Sequence, residues 1–168
     1  LAVRHLLDLG RRRIALLAGP LDIRQVADRV TGARRAIAEV SGSTLEIIAA
    51  PGLTVVDGRH GGEEVAARAA ADRPDGIFAV NDLLAVGVLQ ALVMTGSLRV
   101  PDDIALVGYD DIDFASAAVV PLTSVRQPSQ LIGSTAIDLL IEAAADPEQP
   151  SREVVFQPEL VVRASTAG

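Results

Sequence analysis

The stretch DGIFAVNDLLAVGVLQALVMTGSLRVPDDIALVGYDDIDF, residues 75–114, decides the fold. It holds two short apolar runs, 76–80 and 104–107, with the length and β-branched content of buried strands. Between them, residues 82–95 form an apolar segment of helical length, with Gly96 as its stop. A strand, a helix and a strand joined by a crossover of this length pair in parallel. Each strand runs out into polar residues, Asn81-Asp82 after the first and Tyr109-Asp110-Asp111 after the second. Open parallel sheets meet their ligands at the carboxyl ends of the strands, where Asn81 and Asp110 fall.

Outward from this unit the alternation continues. Residues 1–9 have helical spacing and end at Gly10; residues 13–18 read as a buried strand closed by Gly19-Pro20. A helix is expected over 23–40, with Val26, Val30, Ala33 and Ile37 on one face, then a strand over 45–50. The glycine-rich residues 53–62 read as a loop before an alanine-rich helix at 63–71. Downstream come a strand at 122–126, a helix at 129–145 with Ser129 as its N-cap, a loop at 146–150, and β-rich runs at 153–156 and 160–163. Pro158 between those two runs suggests a sheet edge. The pattern is that of a three-layer α/β fold, a mostly parallel sheet with helices on both faces.

Composition narrows the function. The chain has 168 residues, 49% of them hydrophobic, enough for one well-buried core. All fifteen basic residues are arginine, which excludes lysine Schiff-base chemistry and a phosphate-binding P-loop lysine. A net charge of −7 repels nucleic acid, and the 2% of aromatic residues leaves no stacking platform for bases. The basic run Arg11-Arg12-Arg13 follows a helix end, where cations suit the dipole. With no cysteine there is no disulfide and no thiol chemistry. Nothing reads as a signal peptide or a membrane span. Beginning on leucine within a helical pattern, the chain reads as part of a longer protein.

No nucleophile–base arrangement, dinucleotide fingerprint or zinc motif is present, so neither catalytic residues nor metal ligands are expected, and no cofactor. His5 and His60 lie far apart and read as structural or solvated. Asp102-Asp103 follows a proline and reads as turn chemistry. Asp110-Asp111, at a strand end, suits a ligand role or a helix cap. Asp82 is the better N-cap for its helix, which would free Asn81 to face a cleft. Arg29, early in its helix, could grip hydroxyls or a carboxylate or be a surface charge, and periodicity does not separate the two.

These residues carry a resemblance. HLLDLGRRRIALLAGP (5–20), RPDGIFAVNDLLAVGVLQAL (73–92), RVPDDIALVGYDDIDFA (99–115) and PLTSVRQP (121–128) resemble, in order, the effector-binding core of the lactose-repressor/galactose-repressor family of bacterial transcription regulators. DRVTGARRAI (28–37), IGSTAIDLLIE (132–142) and PELVVRAST (158–166) extend the likeness nearly end to end. The resemblance implies a two-lobed, periplasmic-binding-protein-like core closing on a small effector, often a sugar or related polyol. Residues 1–126 would be the second lobe, 127–150 a crossover with one helix of the first lobe, and 151–168 the return strands and tail. It implies Arg29, Asn81 and Asp110 as ligand contacts, Gln127 at the crossing between lobes, and Val86 and Leu89 at a homodimer interface. DNA would be reached only through a helix-turn-helix before Leu1, in a cytoplasmic, non-enzymatic repressor. A solute-binding protein of a sugar transporter is the alternative. Two departures stand out: residues 54–61 lack the aromatic that often stacks on a sugar, and Ser129 stands where some relatives have another. With the first lobe absent, the apolar face of helix 129–145 (Leu139, Leu140) is expected to dock on a second copy of the chain.

Overall fold

A computed structural model describes residues 1–94, 98–146, 150 and 152–167. In chain order the elements are α1 (Ala2–Asp8), β1 (Arg13–Ala18), α2 (Arg24–Ala38), β2 (Thr44–Ala49), α3 (Val55–Ala67), β3 (Gly76–Ala79), α4 (Asp82–Met94), β4 (Ala105–Asp110), α5 (Asp113–Ala117), β5 (Thr123–Arg126), α6 (Ser129–Ala145) and β6 (Glu159–Val161). The sheet order is β2-β1-β3-β4-β5-β6, parallel except for the β5–β6 pair. The helices α1 and α2 contact one another and cover one face, while α3 and α4 pair over the other. The chain leaves β1 for the edge strand β2 and then returns across β1 to β3, so the topology switches between β1 and β3. Crevices in such sheets open at that switch, above the carboxyl ends of the strands.

The strands at the centre are apolar because both faces are covered. Every residue of β3 is buried, as are Ile14 to Ala18 and Ala105 to Gly108. On α2 the buried residues are Val26, Val30 and Ala33, with Ile37 partly buried, the stripe expected from the 3.6-residue period. Gly10, with φ of 85°, turns the chain out of α1, and Arg12 donates to the Leu7 carbonyl at 2.7 Å.

Five expectations need correction. Residues 55–62 are helical, within α3: Thr54 caps it with a reciprocal Thr54–Asp57 capping box. Its glycines serve helix packing, not a loop. A Cβ on Gly58 would lie 2.1 Å from the Leu84 carbonyl oxygen, and one on Gly87 would lie 2.1 Å from that of Val55. The two backbones touch where those side chains are missing, and the contact offsets the roughly 1 kcal/mol a helical glycine costs. The segment expected as helix to residue 71 leaves α3 at Ala67 and ends in a 3-10 turn, Ala70–Asp72.

Residues 153–156 form no strand; Val154, Val155 and Phe156 line a groove with Ile132 and Leu139 of α6 instead. Only Glu159–Val161 joins the sheet, along β5. Ser129 begins α6 but does not cap it, since the N-cap position is Pro128. Leu89, expected at a subunit contact, is 2% exposed and belongs to the chain's own core, because α3 and the sheet enclose both sides of α4. Val86 is half-buried. Gly96 and residues 147–149 lie outside the described residues.

The glycine contacts give a direct stability test. Gly58→Ala is expected to cost about 1–3 kcal/mol in urea unfolding, as overpacking does. Gly32→Ala in α2, where nothing lies within 4 Å of the new Cβ, should raise stability by up to about 1 kcal/mol. Equal effects at the two positions would contradict a backbone-contact role for Gly58.

Candidate functional site

Three strand ends supply the site. The carbonyl of Val80, just after β3, accepts a hydrogen bond from Arg29 Nη1 at 2.6 Å, which ties α2 to the β3 end. The same guanidinium lies over the Tyr109 ring, 3.6 Å from its centroid, and its Nη2 is 3.7 Å from Asp110 Oδ1. A stacked, planar cation with fork geometry loses little entropy when it meets an acceptor. Gln127, after β5, donates from Nε2 to Asp110 Oδ1 at 2.8 Å. Arg29, Asp110 and Gln127 therefore converge on one rim at the carboxyl end of the sheet.

Asp110 is held in an unusual way. It has φ of 108° and Asp111 has φ of 53°, both in the region that favours glycine. Such residues cost about 1–3 kcal/mol each and persist only where their surroundings over-determine them. Burial pushes the Asp110 carboxyl above its ordinary value, only partly offset by Arg29 and by the Gln127 bond. Among the described residues both contacts on this carboxylate fall on Oδ1, which leaves Oδ2 without a protein donor. A carboxylate can accept several hydrogen bonds, so Asp110 has capacity unspent.

Its neighbours are committed elsewhere. Asp111 is closed by Arg163 Nη1 and Arg126 Nε, each at 2.6 Å. Burial alone would raise its carboxyl, but these two bonds outweigh it and hold it below the ordinary value. The capping role expected of Asp82 falls to Asn81. Asn81 Oδ1 accepts from the Leu84 N–H at 2.9 Å, so Asn81 caps α4, and its Nδ2 donates to the Leu53 carbonyl at 3.0 Å. Asn81 sits at the rim with oxygen and nitrogen both engaged. Asp82 is fully buried: Oδ1 accepts from Ser124 Oγ at 2.7 Å and Oδ2 from the Ile112 N–H at 2.9 Å. Burial pushes its carboxyl up to about 6 against those two bonds, and the charges of Asp110 and Asp111 add to the rise. Sequence reading missed this role for Asp82. Gly108 was the available signal, since a Cβ there would lie 2.1 Å from Asp82 Oδ1.

Beside the rim, under Arg29 and Tyr109, is a cavity of about 180 Å³ between α1, α2 and the sheet. That is smaller than the roughly 300 Å³ at which ligand pockets begin. His5 is structural: its Nε2 is 2.9 Å from Thr166 Oγ1, which in turn is 2.7 Å from Thr123 Oγ1. Among the described residues no three His, Asp or Glu side chains are grouped to hold a metal ion, and no helix is long and apolar enough to cross a membrane.

Residues 3–166 match the periplasmic binding protein-like domain. The chain belongs to that family. Within it, the relatives are repressors of the lactose-repressor type, as the sequence motifs imply. The ribose operon repressor of Escherichia coli K12 is 36% identical over 98% of this chain and 49% of its own length. The structure of a transcriptional regulator CelR–cellobiose complex superposes with a TM-score of 0.88 at 34% identity, over 98% of this chain and 50% of that one. A dimeric Lac repressor with an 11-residue C-terminal deletion gives 0.87 at 28% identity, over 98% and 59%. This periplasmic-binding-protein-like chain spans about half the length of the curated relatives it matches. Those relatives are repressors.

The raised Asp82 carboxyl has a definite sign. Its folded value, about 6, lies above the ordinary 3.8, so the folded state holds the proton more tightly. Stability from this group is full at low pH and is lost as pH rises through about 4 to 6, by ~3 kcal/mol at most. Asp82→Asn stays neutral throughout. The difference in melting temperature, variant minus wild type, is expected to climb across that window and level off above it. A difference that is flat or falls with pH would contradict the assignment.

Proposed function

We propose that this chain is the ligand-sensing part of a bacterial transcriptional repressor, binding a small polyhydroxylated effector, a sugar or related polyol, at the Arg29–Asp110–Gln127 rim. One observation carries the reading: Asp110 is half-buried in a strained turn, faces a guanidinium and an amide, and keeps one carboxylate oxygen unspent. A ligand hydroxyl donates to such an oxygen, and Arg29 donates to a neighbouring hydroxyl. Asn81 contributes through its place at the rim, with its polar atoms engaged until a ligand competes for them.

The rim needs an opposite wall. Residues 1–126 form the second lobe, 127–150 the crossover and 151–168 the return in this proposal. None of the α6 side chains is buried, and Leu140 is 65% exposed. A first lobe outside this chain covers that face in the whole protein and closes the cleft; exchange with a second copy would be its substitute when that lobe is missing. DNA contact belongs to a helix-turn-helix, also outside this chain, since −7 of net charge suits no DNA surface. In this proposal the whole protein works in the cytoplasm as a homodimer. Exposed Val56 and Leu83 with half-buried Val86 give α3 and α4 an apolar outer patch that suits a subunit contact.

A thermal-shift panel of pentoses, hexoses, disaccharides and purines on the intact protein tests the effector. At least one polyol is expected to stabilise it, by about 2.7 kcal/mol at a hundredfold excess over Kd. Asp110→Asn and Arg29→Ala should abolish that shift, whereas Asp102→Asn should keep it. A stabilising compound whose effect survives both rim variants would defeat the assignment. For the dimer, Val86→Asp is expected to halve the mass in sedimentation, and an unchanged mass counts against this contact.

A further inference from the structure

The rim carboxylate does not hold its own position. Residues 110 and 111 both have positive φ without being glycine, so some other group must keep the turn from relaxing. The two backbone N–H groups that follow Asp110 show which. The Ile112 N–H donates directly to Asp82 Oδ2, at 2.9 Å. The Asp111 N–H donates to Ser124 Oγ at 3.1 Å, and that hydroxyl donates onward to Asp82 Oδ1 at 2.7 Å. Both N–H groups are thus referred to one buried carboxylate, once directly and once through a serine. The strand makes room for it at Gly108, where a side chain would collide with Asp82 Oδ1.

Helix capping does not explain Asp82. Asn81 supplies the cap of α4, and both Asp82 oxygens point away from the helix, to the turn after β4 and to β5. A carboxylate buried with no cation against it is costly unless its bonds accomplish something. Here they accomplish the turn.

We propose that Asp82, acting through Ser124, is the positioning residue of the rim: it clamps residues 110–112 and so aims the Asp110 carboxylate at Arg29 and Gln127. Its importance for ligand recognition rests on the effector reading above, but the clamp itself does not. Asp82 touches neither Arg29 nor Gln127, so an effect on those two side chains must pass through the turn.

The test is heteronuclear NMR of the ligand-free protein, following the Gln127 side-chain amide and the Arg29 Nε–H. In Asp110→Ala the Gln127 amide loses its acceptor and the Arg29 guanidinium its nearby carboxylate, and the two resonances then define the displaced positions. Asp82→Ala is expected to move both at least half of the way there. Asp82→Asn keeps an acceptor for the Ile112 N–H and should leave them near wild type. A loss of stability in Asp82→Ala with both resonances unmoved would reduce Asp82 to a packing residue and overturn the proposal. Equal displacement by Asp82→Asn and Asp82→Ala would overturn it too, because the acceptor would not be what matters. If Asp82→Ala does not fold, Ser124→Ala decides: movement of the Gln127 amide supports the clamp and an unmoved amide refutes it. The readout needs no ligand, so a wild-type protein that binds nothing in the screen defeats the effector reading alone.

Discussion

A parallel strand covered by helices on both faces can present polar side chains only at its ends. This constraint organises the molecule. The central strands β1, β3 and β4 are buried almost throughout, so Arg29, Asn81, Asp82, Asp110 and Asp111 gather where the strands stop. The switch between β1 and β3 then parts the loops on either side of the crevice. The glycine contacts between α3 and α4 belong to the same constraint, since they draw the second helical layer close enough to seal its face of the sheet.

At the rim three aspartates lie within one turn of chain or one strand of each other, and their surroundings divide them. Two arginines saturate Asp111, which becomes a fastener between β4, β5 and the tail. Asp82 is buried with no cation against it among the described residues, so its charge is disfavoured and its oxygens serve a backbone N–H and a hydroxyl. Asp110 lies between these extremes, with a guanidinium near but not bonded to it and, among the described residues, one oxygen without a protein donor. A ligand-binding wall needs that intermediate state: desolvated enough to make each new hydrogen bond count, yet not consumed by the protein.

Much of this was legible in the sequence. The apolar runs and their polar exits located β3, β4 and α4, and the strand-end rule placed Asp110 in the crevice. What failed did so for local physical reasons. Glycine in residues 58–62 reads as a loop when propensity is the guide, but here its missing side chain serves helix contact. Asn81 and Asp82 are both competent caps, and only the three-dimensional setting, with Ser124 and the Ile112 N–H waiting beside β4, assigns the carboxylate inward and the amide to the helix. The tail is the other blind spot. Ser165 Oγ donates to the Leu106 carbonyl and accepts from the Thr123 N–H, a strand-like role filled by residues with no strand pattern.

In the proposed repressor this rim is one wall of a ligand cleft. A crystal structure of the intact protein bound to whichever compound stabilises it most tests this directly. Ligand hydroxyls are expected within hydrogen-bond reach of Asp110 Oδ2 and the Arg29 guanidinium, with the Asp110 and Asp111 backbone unchanged. A ligand seated elsewhere, with Asp110 still bonded only to Gln127, would contradict it.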